Sequence, residues 1–315
     1  MIPPEPLKLL LDSLACGGAS FVLGAGASAP HVPTLGQIPA AFRPFAAQLG
    51  AFPASAIPDS PLRQLIQPLI DTSLITFSPD EWKAGAMTSA TIAVLLEEHI
   101  VRAHWQLLPQ YEIFRLFPTT SSVVSFNWDG LARARCPQAL VLHPHGALHP
   151  RPLLSESLED RLYYSQLDDS LDTRRWLLPS LVMPGEEEAP TLRAMRERVL
   201  ELWLAAPAVI VIGYSFGMNQ TISYDRIWLD IFTEAMTRNA VAPVHIVSPS
   251  AVEIRGELAG RLRREINVFA WTLNWHLFAL SVIRVAHCHG LSTIAALRPH
   301  AEAVAAKYRR LADPV

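Results

Sequence analysis

The feature that most narrows the fold is a junction that recurs along the chain. Ala19 to Leu23 ends in Gly24-Ala-Gly-Ala-Ser28, Ser122 to Phe126 in Asn127-Trp-Asp-Gly130, and Ala139 to Leu142 in His143-Pro-His-Gly146. Further on, Ala208 to Ile212 ends in Gly213-Tyr-Ser-Phe-Gly217, and Val244 to Val247 in Ser248-Pro-Ser250. Short, largely apolar runs of this kind are what a strand needs when both faces of its sheet are covered. Small and polar residues directly after each run place the chemistry at the strand C-termini, where open parallel sheets bind ligands.

Between these runs the periodicity turns helical. Apolar positions at helical spacing cover Thr88 to Gln110, Ala189 to Leu204 and about Tyr224 to Arg238, with a charged helix expected around His300 to Leu311. Strands alternating with helices predict an α/β fold, a Rossmann-like parallel sheet flanked by helices with helical and loop insertions. The 315 residues are expected to form a single domain over 1–315. Its core spans about 15–250, with an insertion or lid at about 151–193 and a C-terminal helical part at 251–315. The proline- and alanine-rich stretch from Pro30 to Pro61 reads as a loop-and-helix excursion over the sheet.

Composition excludes several classes. Half of the residues are hydrophobic and 17% are charged, a globular balance. A formal charge of -3 supplies no cationic field, so no nucleic-acid partner is expected. Arg261, Arg263 and Arg264 alternate with Glu257 and Glu265 and read as a solvated helix face. Cys16, Cys136 and Cys288 are far apart and form no C-x-x-C pair, which predicts no zinc module and a reducing, cytoplasmic setting. The N-terminal segment has no basic region ahead of its apolar positions and reads as a first helix. The apolar stretch from Asn267 to Cys288 approaches bilayer-spanning length. Asn274, His276 and Arg284 interrupt it, so a buried helix or strand pair is expected and no membrane association, with packing against another subunit as a further use.

Each motif admits a plain structural reading beside a chemical one. Gly24, Ala25, Gly26, Ala27 and Ser28 can bring backbone amides up to a diphosphate, or can simply be a tight connection. Asn127 and Asp129 can hold a ribose, a carboxamide or a water, or can cap the following helix. Of the three histidines His143, His145 and His149, His145 precedes a glycine at a strand end and is the candidate general base. His31, His104 and His245 read as ordinary histidines, and no metal-ligand spacing is present.

In order, FVLGAGAS, SFNWDG, PHGALH and VIGYSFG resemble the landmarks of the sirtuin-like NAD-consuming family, over about Ser20 to Ser250. The resemblance implies that Gly24, Ala25, Gly26, Ala27 and Ser28 receive the diphosphate. It also implies that Asn127 and Asp129 surround the nicotinamide and its ribose, and that His145 is the catalytic base. Gly213, Ser215 and Ser248 would line the adenosine side. Sirtuin deacylases carry a four-cysteine zinc module between the histidine and the later serine turn, and this chain has no cysteine there. The chain therefore looks more like the zinc-free NAD hydrolases of bacterial antiphage defence. That implies NAD as substrate without a metal, and activation as a homo-oligomer or in complex with another defence protein.

Two other readings compete. Gly213-Tyr-Ser-Phe-Gly217 matches the G-x-S-x-G nucleophile elbow of α/β-hydrolases, with Ser215 as nucleophile, His287 or His289 as base, and Asp225, Asp230 or Glu253 as acid. Alternatively the pocket senses NAD without consuming it, as a subunit of a defence complex.

Overall fold

A computed structural model describes residues 8–12, 18–29, 31–32, 109–116, 122–136, 139–147, 192–218, 225–262 and 267–288. Expectations for Pro30, for Pro33 to Pro61, for Thr88 to Leu108, for 151–191, for His104 and His149, and for the helix around His300 to Leu311 lie outside these residues. The elements in chain order are β1 (Ser20–Leu23), α1 (Ala25–Ser28), a 3₁₀ helix (Pro109–Leu116), β2 (Ser122–Ser125) and α2 (Leu131–Arg135). They continue with β3 (Leu140–Leu142), α3 (Arg193–Ala205), β4 (Val209–Ile212), α4 (Arg226–Arg238), β5 (Val244–Val247), α5 (Ala251–Leu262), β6 (Val268–Trp271) and α6 (Trp275–Cys288).

The strands form one six-stranded sheet in the order β3-β2-β1-β4-β5-β6, and every pairing is parallel. The expected Rossmann-like α/β fold is what the chain adopts. β1, β2, β4 and β5 are buried along their whole length, as a parallel sheet covered on both faces requires, and the Ser122 hydroxyl on β2 donates to the buried Ser20 Oγ on β1 at 2.8 Å. Registers are aligned so that Leu23 lies beside both Ser125 and Ile212. The residues that follow β1, β2 and β4 therefore emerge side by side at one edge of the sheet. This strand order reverses direction between β1 and β4, the switch point at which doubly wound sheets open a crevice.

One face of the sheet is covered by α3 and α4. Trp203, Phe232 and Trp228 join Val209, Val211 and Val244 in a continuous apolar cluster, and Trp203 meets Phe232 edge to face at 5.2 Å. Asn239 ties the layer together from the end of α4, its Nδ2 donating to the Ala206 carbonyl at 2.8 Å and to the Trp203 carbonyl at 3.3 Å. These bonds satisfy carbonyls that the C-terminus of α3 would otherwise leave without partners.

The helical reading of 251–315 needs one amendment. Val268–Trp271 is a strand, β6, which extends the sheet by pairing with β5, and α6 follows it. The apolar stretch from Asn267 to Cys288 is thus a strand followed by a helix. α6 packs on the 3₁₀ helix through Trp275, which meets Tyr111 at 4.5 Å and Phe114 at 5.8 Å. Phe114 in turn sits edge-on to Phe21 of β1 at 4.7 Å. No helix among the described residues is long and apolar enough to cross a membrane.

Candidate functional site

Ser28 is the hub of a buried polar cluster assembled from three segments. Its hydroxyl lies at the end of α1, beside the turn that follows β2, because Leu23 and Phe126 are joined by a backbone bond of 2.8 Å. Asn127 Nδ2 donates to Ser28 Oγ at 2.9 Å. Tyr111 Oη, brought in by the 3₁₀ helix, is 3.4 Å from the same oxygen. Ser28 also hydrogen-bonds the Asp129 side chain. A hydroxyl has one proton and two lone pairs. With its proton given to the carboxylate, Ser28 accepts from Asn127 and has one lone pair left for the Tyr111 hydroxyl.

That arrangement orients Asn127. With Nδ2 committed to Ser28, Oδ1 is turned the other way, and it is buried without a hydrogen-bond partner among the described residues. A buried carbonyl oxygen in this condition is a costly feature for a protein to keep, and a ligand donor or a water would satisfy it. Asp129 Oδ1 accepts from the Leu131 amide at 3.1 Å just ahead of α2, whose N-cap position is Gly130 and not the expected aspartate. Burial raises the Asp129 pKa above the usual carboxylate value, opposed by the hydrogen bonds from Ser28, from Leu131 and from its own amide. Burial, reinforced by the Asp129 charge, also raises the Tyr111 phenol well above its ordinary value, so Tyr111 stays protonated.

His145 sits on the neighbouring strand end, in a turn closed by the Gly146 amide on the His143 carbonyl at 2.9 Å. Gly146 has φ +72°, a conformation that favours glycine, which accounts for the histidine-glycine pair. The imidazole is nearly buried, the whole residue being 9% exposed. Its ring stands edge-on to Phe126 at 5.0 Å and to Trp228 of α4 at 6.3 Å, and Phe126 stacks flat on Tyr214 at 4.3 Å. His145 Nε2 lies 3.2 Å from Asp225 Oδ1, off the hydrogen-bond axis. Asn127 and His145 therefore belong to adjoining strand ends, with the ring of Phe126 reaching from one to the other. His143 is buried beside them.

The glycine turns have a packing explanation. A Cβ on Gly24 would lie 2.6 Å from the Gly213 carbonyl oxygen and from Tyr214 Cα, and one on Gly213 would lie 2.5 Å from the Gly26 carbonyl carbon. The turns after β1 and β4 thus touch backbone to backbone, with Gly213 at φ +59°. Gly24 N donates to the Ile212 carbonyl and Gly26 N to the Gly213 carbonyl, at 3.0 and 3.1 Å. Gly24 and Ala27 are buried in this contact, while Ala25 and Gly26 face solvent. An anion at this turn would meet the exposed Ala25 and Gly26 edge, with the Gly26 amide already committed.

Ser215 is half-buried at the β4 turn. The residues there with positive φ are Gly213, Phe216 and Gly217. A nucleophile elbow puts the strain at the serine and runs straight into a helix, whereas here the positive φ falls on the flanking residues and Phe216 to Met218 form a turn. Asp225 accompanies His145 instead of a C-terminal histidine. Asp230 and Glu253 are exposed on α4 and α5, His287 falls within α6, and His289 lies outside the described residues. Ser248 accepts from the Ser250 amide at 3.2 Å, and its carbonyl accepts from Ala251, so it anchors the start of α5. Among the described residues no three His, Cys, Asp or Glu side chains gather as metal ligands. Tyr111 and Trp228 lie outside every sequence motif, and Phe126 and Tyr214, though within SFNWDG and VIGYSFG, carry no role there, since these rings meet the site only through folding.

Fold and site together define a doubly wound α/β protein with a buried polar cluster at the C-terminal ends of β1 and β2. Solved structures with a similar chain path include one described as "Structural Basis for the Mechanism and Regulation of Sir2 Enzymes", at 13% identity and a TM-score of 0.41, covering 96% of this chain and 100% of that one. A Sir2 homologue mutant in complex with ADP-ribose gives 14% identity and a TM-score of 0.46, over 92% and 96% of the two chains. Sir2 bound to an inhibitor, 2'-O-acetyl-ADP-ribose and a deacetylated peptide gives 16% and 0.38, over 88% and 97%. No family model and no curated protein matches the sequence.

Proposed function

We propose that this chain binds NAD over the C-terminal ends of β1, β2 and β4 and hydrolyses its nicotinamide-ribose bond. The observation that carries the reading is the buried Asn127 Oδ1, held by Ser28 so that an unsatisfied acceptor sits beside a carboxylate and one strand from a histidine. In this proposal Asn127 accepts from a ribose hydroxyl or a water and Asp129 orients the nicotinamide end. His145 takes a proton from water or from a ribose hydroxyl. The exposed Ala25 and Gly26 edge, with Ser28, borders the diphosphate, and Gly213, Ser215 and Ser248 border the adenosine. Loss of neutral nicotinamide leaves an oxocarbenium-like sugar, so fixed polar groups around it supply the catalytic advantage through preorganised electrostatics. The chemistry uses NAD as substrate and requires no metal.

From the motif resemblance we further propose a role in antiphage defence, with activity released by an infection signal in a homo-oligomer or in complex with another defence protein. Chromatography of NAD incubated with the wild type, Asn127→Ala and His145→Ala is the direct test. Nicotinamide and ADP-ribose are expected from the wild type alone, with all three proteins equally folded by circular dichroism. NAD loss retained in either variant refutes the assignment of that residue. Labelling of Ser215 by a fluorophosphonate probe would instead support the serine hydrolase, and NAD bound but never consumed would support a sensing subunit.

A further inference from the structure

We infer that Asp225 is a positioning residue for His145, holding the imidazole from the first turn of α4. The inference deepens the proposed function, since it assigns the partner of the base in that reaction. Asp225 occupies the N-cap position of α4, where an aspartate ordinarily turns its carboxylate onto the helix's own free amides. Here it makes no side-chain cap bond. Its Oδ1 lies 3.2 Å from His145 Nε2 instead, with the two side chains only 13% and 11% exposed. The carboxylate has been diverted from helix capping to the histidine.

Aromatic neighbours restrict the ring, and Asp225 places a carboxylate beside its Nε2. Phe126 and Trp228 meet the imidazole edge-on from two elements, which restricts its rotation while offering their carbon edges. A carboxylate beside Nε2 favours the tautomer with its proton there, which makes Nδ1 the basic nitrogen. Contacts of this kind commonly start long or poorly aligned and tighten when substrate binds, so the off-axis approach at 3.2 Å suits a positioning role.

Two substitutions separate positioning from scaffolding. Asp225→Ser keeps a favourable N-cap residue but is too short to reach His145, whereas Asp225→Asn keeps an acceptor at the same distance. Long-range proton-nitrogen correlation spectra of the imidazoles, assigned with His145→Gln, report the tautomer without any turnover. We expect the Nε2-protonated form of His145 in the wild type and in Asp225→Asn, and a mixture of both tautomers in Asp225→Ser. With NAD as substrate, kcat of Asp225→Ser should fall by about 10- to 100-fold, within what a general base contributes, at nearly unchanged KM. Asp225→Asn should recover most of that loss. An unaltered His145 tautomer in Asp225→Ser, equal impairment of both variants, or loss of the fold in both would overturn the inference. A tautomer change in a chain that never releases nicotinamide would leave the pair standing and refute the hydrolase reading alone.

Discussion

Replacing Gly213 by alanine tests the contact on which the site is built. Its added Cβ would sit 2.5 Å from the Gly26 carbonyl carbon, 2.6 Å from the Ala27 nitrogen and 2.7 Å from Gly26 Cα. All three are backbone atoms, so no side-chain rotation relieves the overlap, and the turns after β1 and β4 must separate. The left-handed conformation at φ +59° adds a penalty of roughly 1–2 kcal/mol for an L-residue. Overpacking of a close-packed contact costs about 1–3 kcal/mol. Together the expected loss is about 2–5 kcal/mol, a large share of the roughly 5–15 kcal/mol that holds a typical native protein. At about 2–4 °C per kcal/mol for large domains, Tm should fall by on the order of 5–15 °C. Thermal and urea unfolding followed by circular dichroism measure it. Gly256→Ala serves as the internal contrast, because a Cβ there meets nothing within 4 Å on an exposed face of α5, and it should stabilise by about 0.5–1 kcal/mol. If Gly213→Ala costs less than about 1 kcal/mol, the two turns do not touch as described and the glycine pattern needs another cause.

Burial raises the Asp129 pKa above its ordinary value, so ionised Asp129 opposes folding; its contribution is most favourable below the unfolded carboxylate pKa and is lost as pH rises through the folded one. Asp129→Asn should therefore be more stable than the wild type in urea at neutral pH, with the gain vanishing in acid, while NAD turnover falls; lower stability at pH 7 would contradict the burial argument. His245 is buried on β5 with Trp271 Nε1 donating to its Nδ1, and burial lowers its pKa to about 3. Being depressed below 6.5, it favours folding above that pH and withdraws stability as pH falls from 6.5 toward 3. His245→Phe should flatten the pH dependence of Tm across that window, and an unchanged profile would refute the assignment.

The strand ends were legible because burial on both faces leaves a mark in every residue of a parallel strand. Ala208 to Ile212 and Val244 to Val247 can be read without knowing their neighbours, and the structure places β4 and β5 there. β6 was not legible. Val268-Phe-Ala-Trp271 is partly exposed at the sheet edge and merges without a break into the apolar residues of α6, so periodicity alone could not divide strand from helix. Gly24 and Gly213 announced tight turns, but each glycine is explained by the other, a contact between positions far apart in the chain.

The amino-acid order by itself determined that the segments of β1 to β5 become strands and that small and polar residues follow each of them, since both follow from local burial and backbone freedom. Only the tertiary structure decided who meets whom. Parallel pairing in register set Ser28 against Asn127 and Asp129, the 3₁₀ helix carried Tyr111 to the same hydroxyl, and the start of α4 turned Asp225 toward His145. The physical reason is range: strand and turn formation are governed by neighbours a few residues away. Hydrogen bonds between side chains about a hundred residues apart exist only once the sheet has closed the distance.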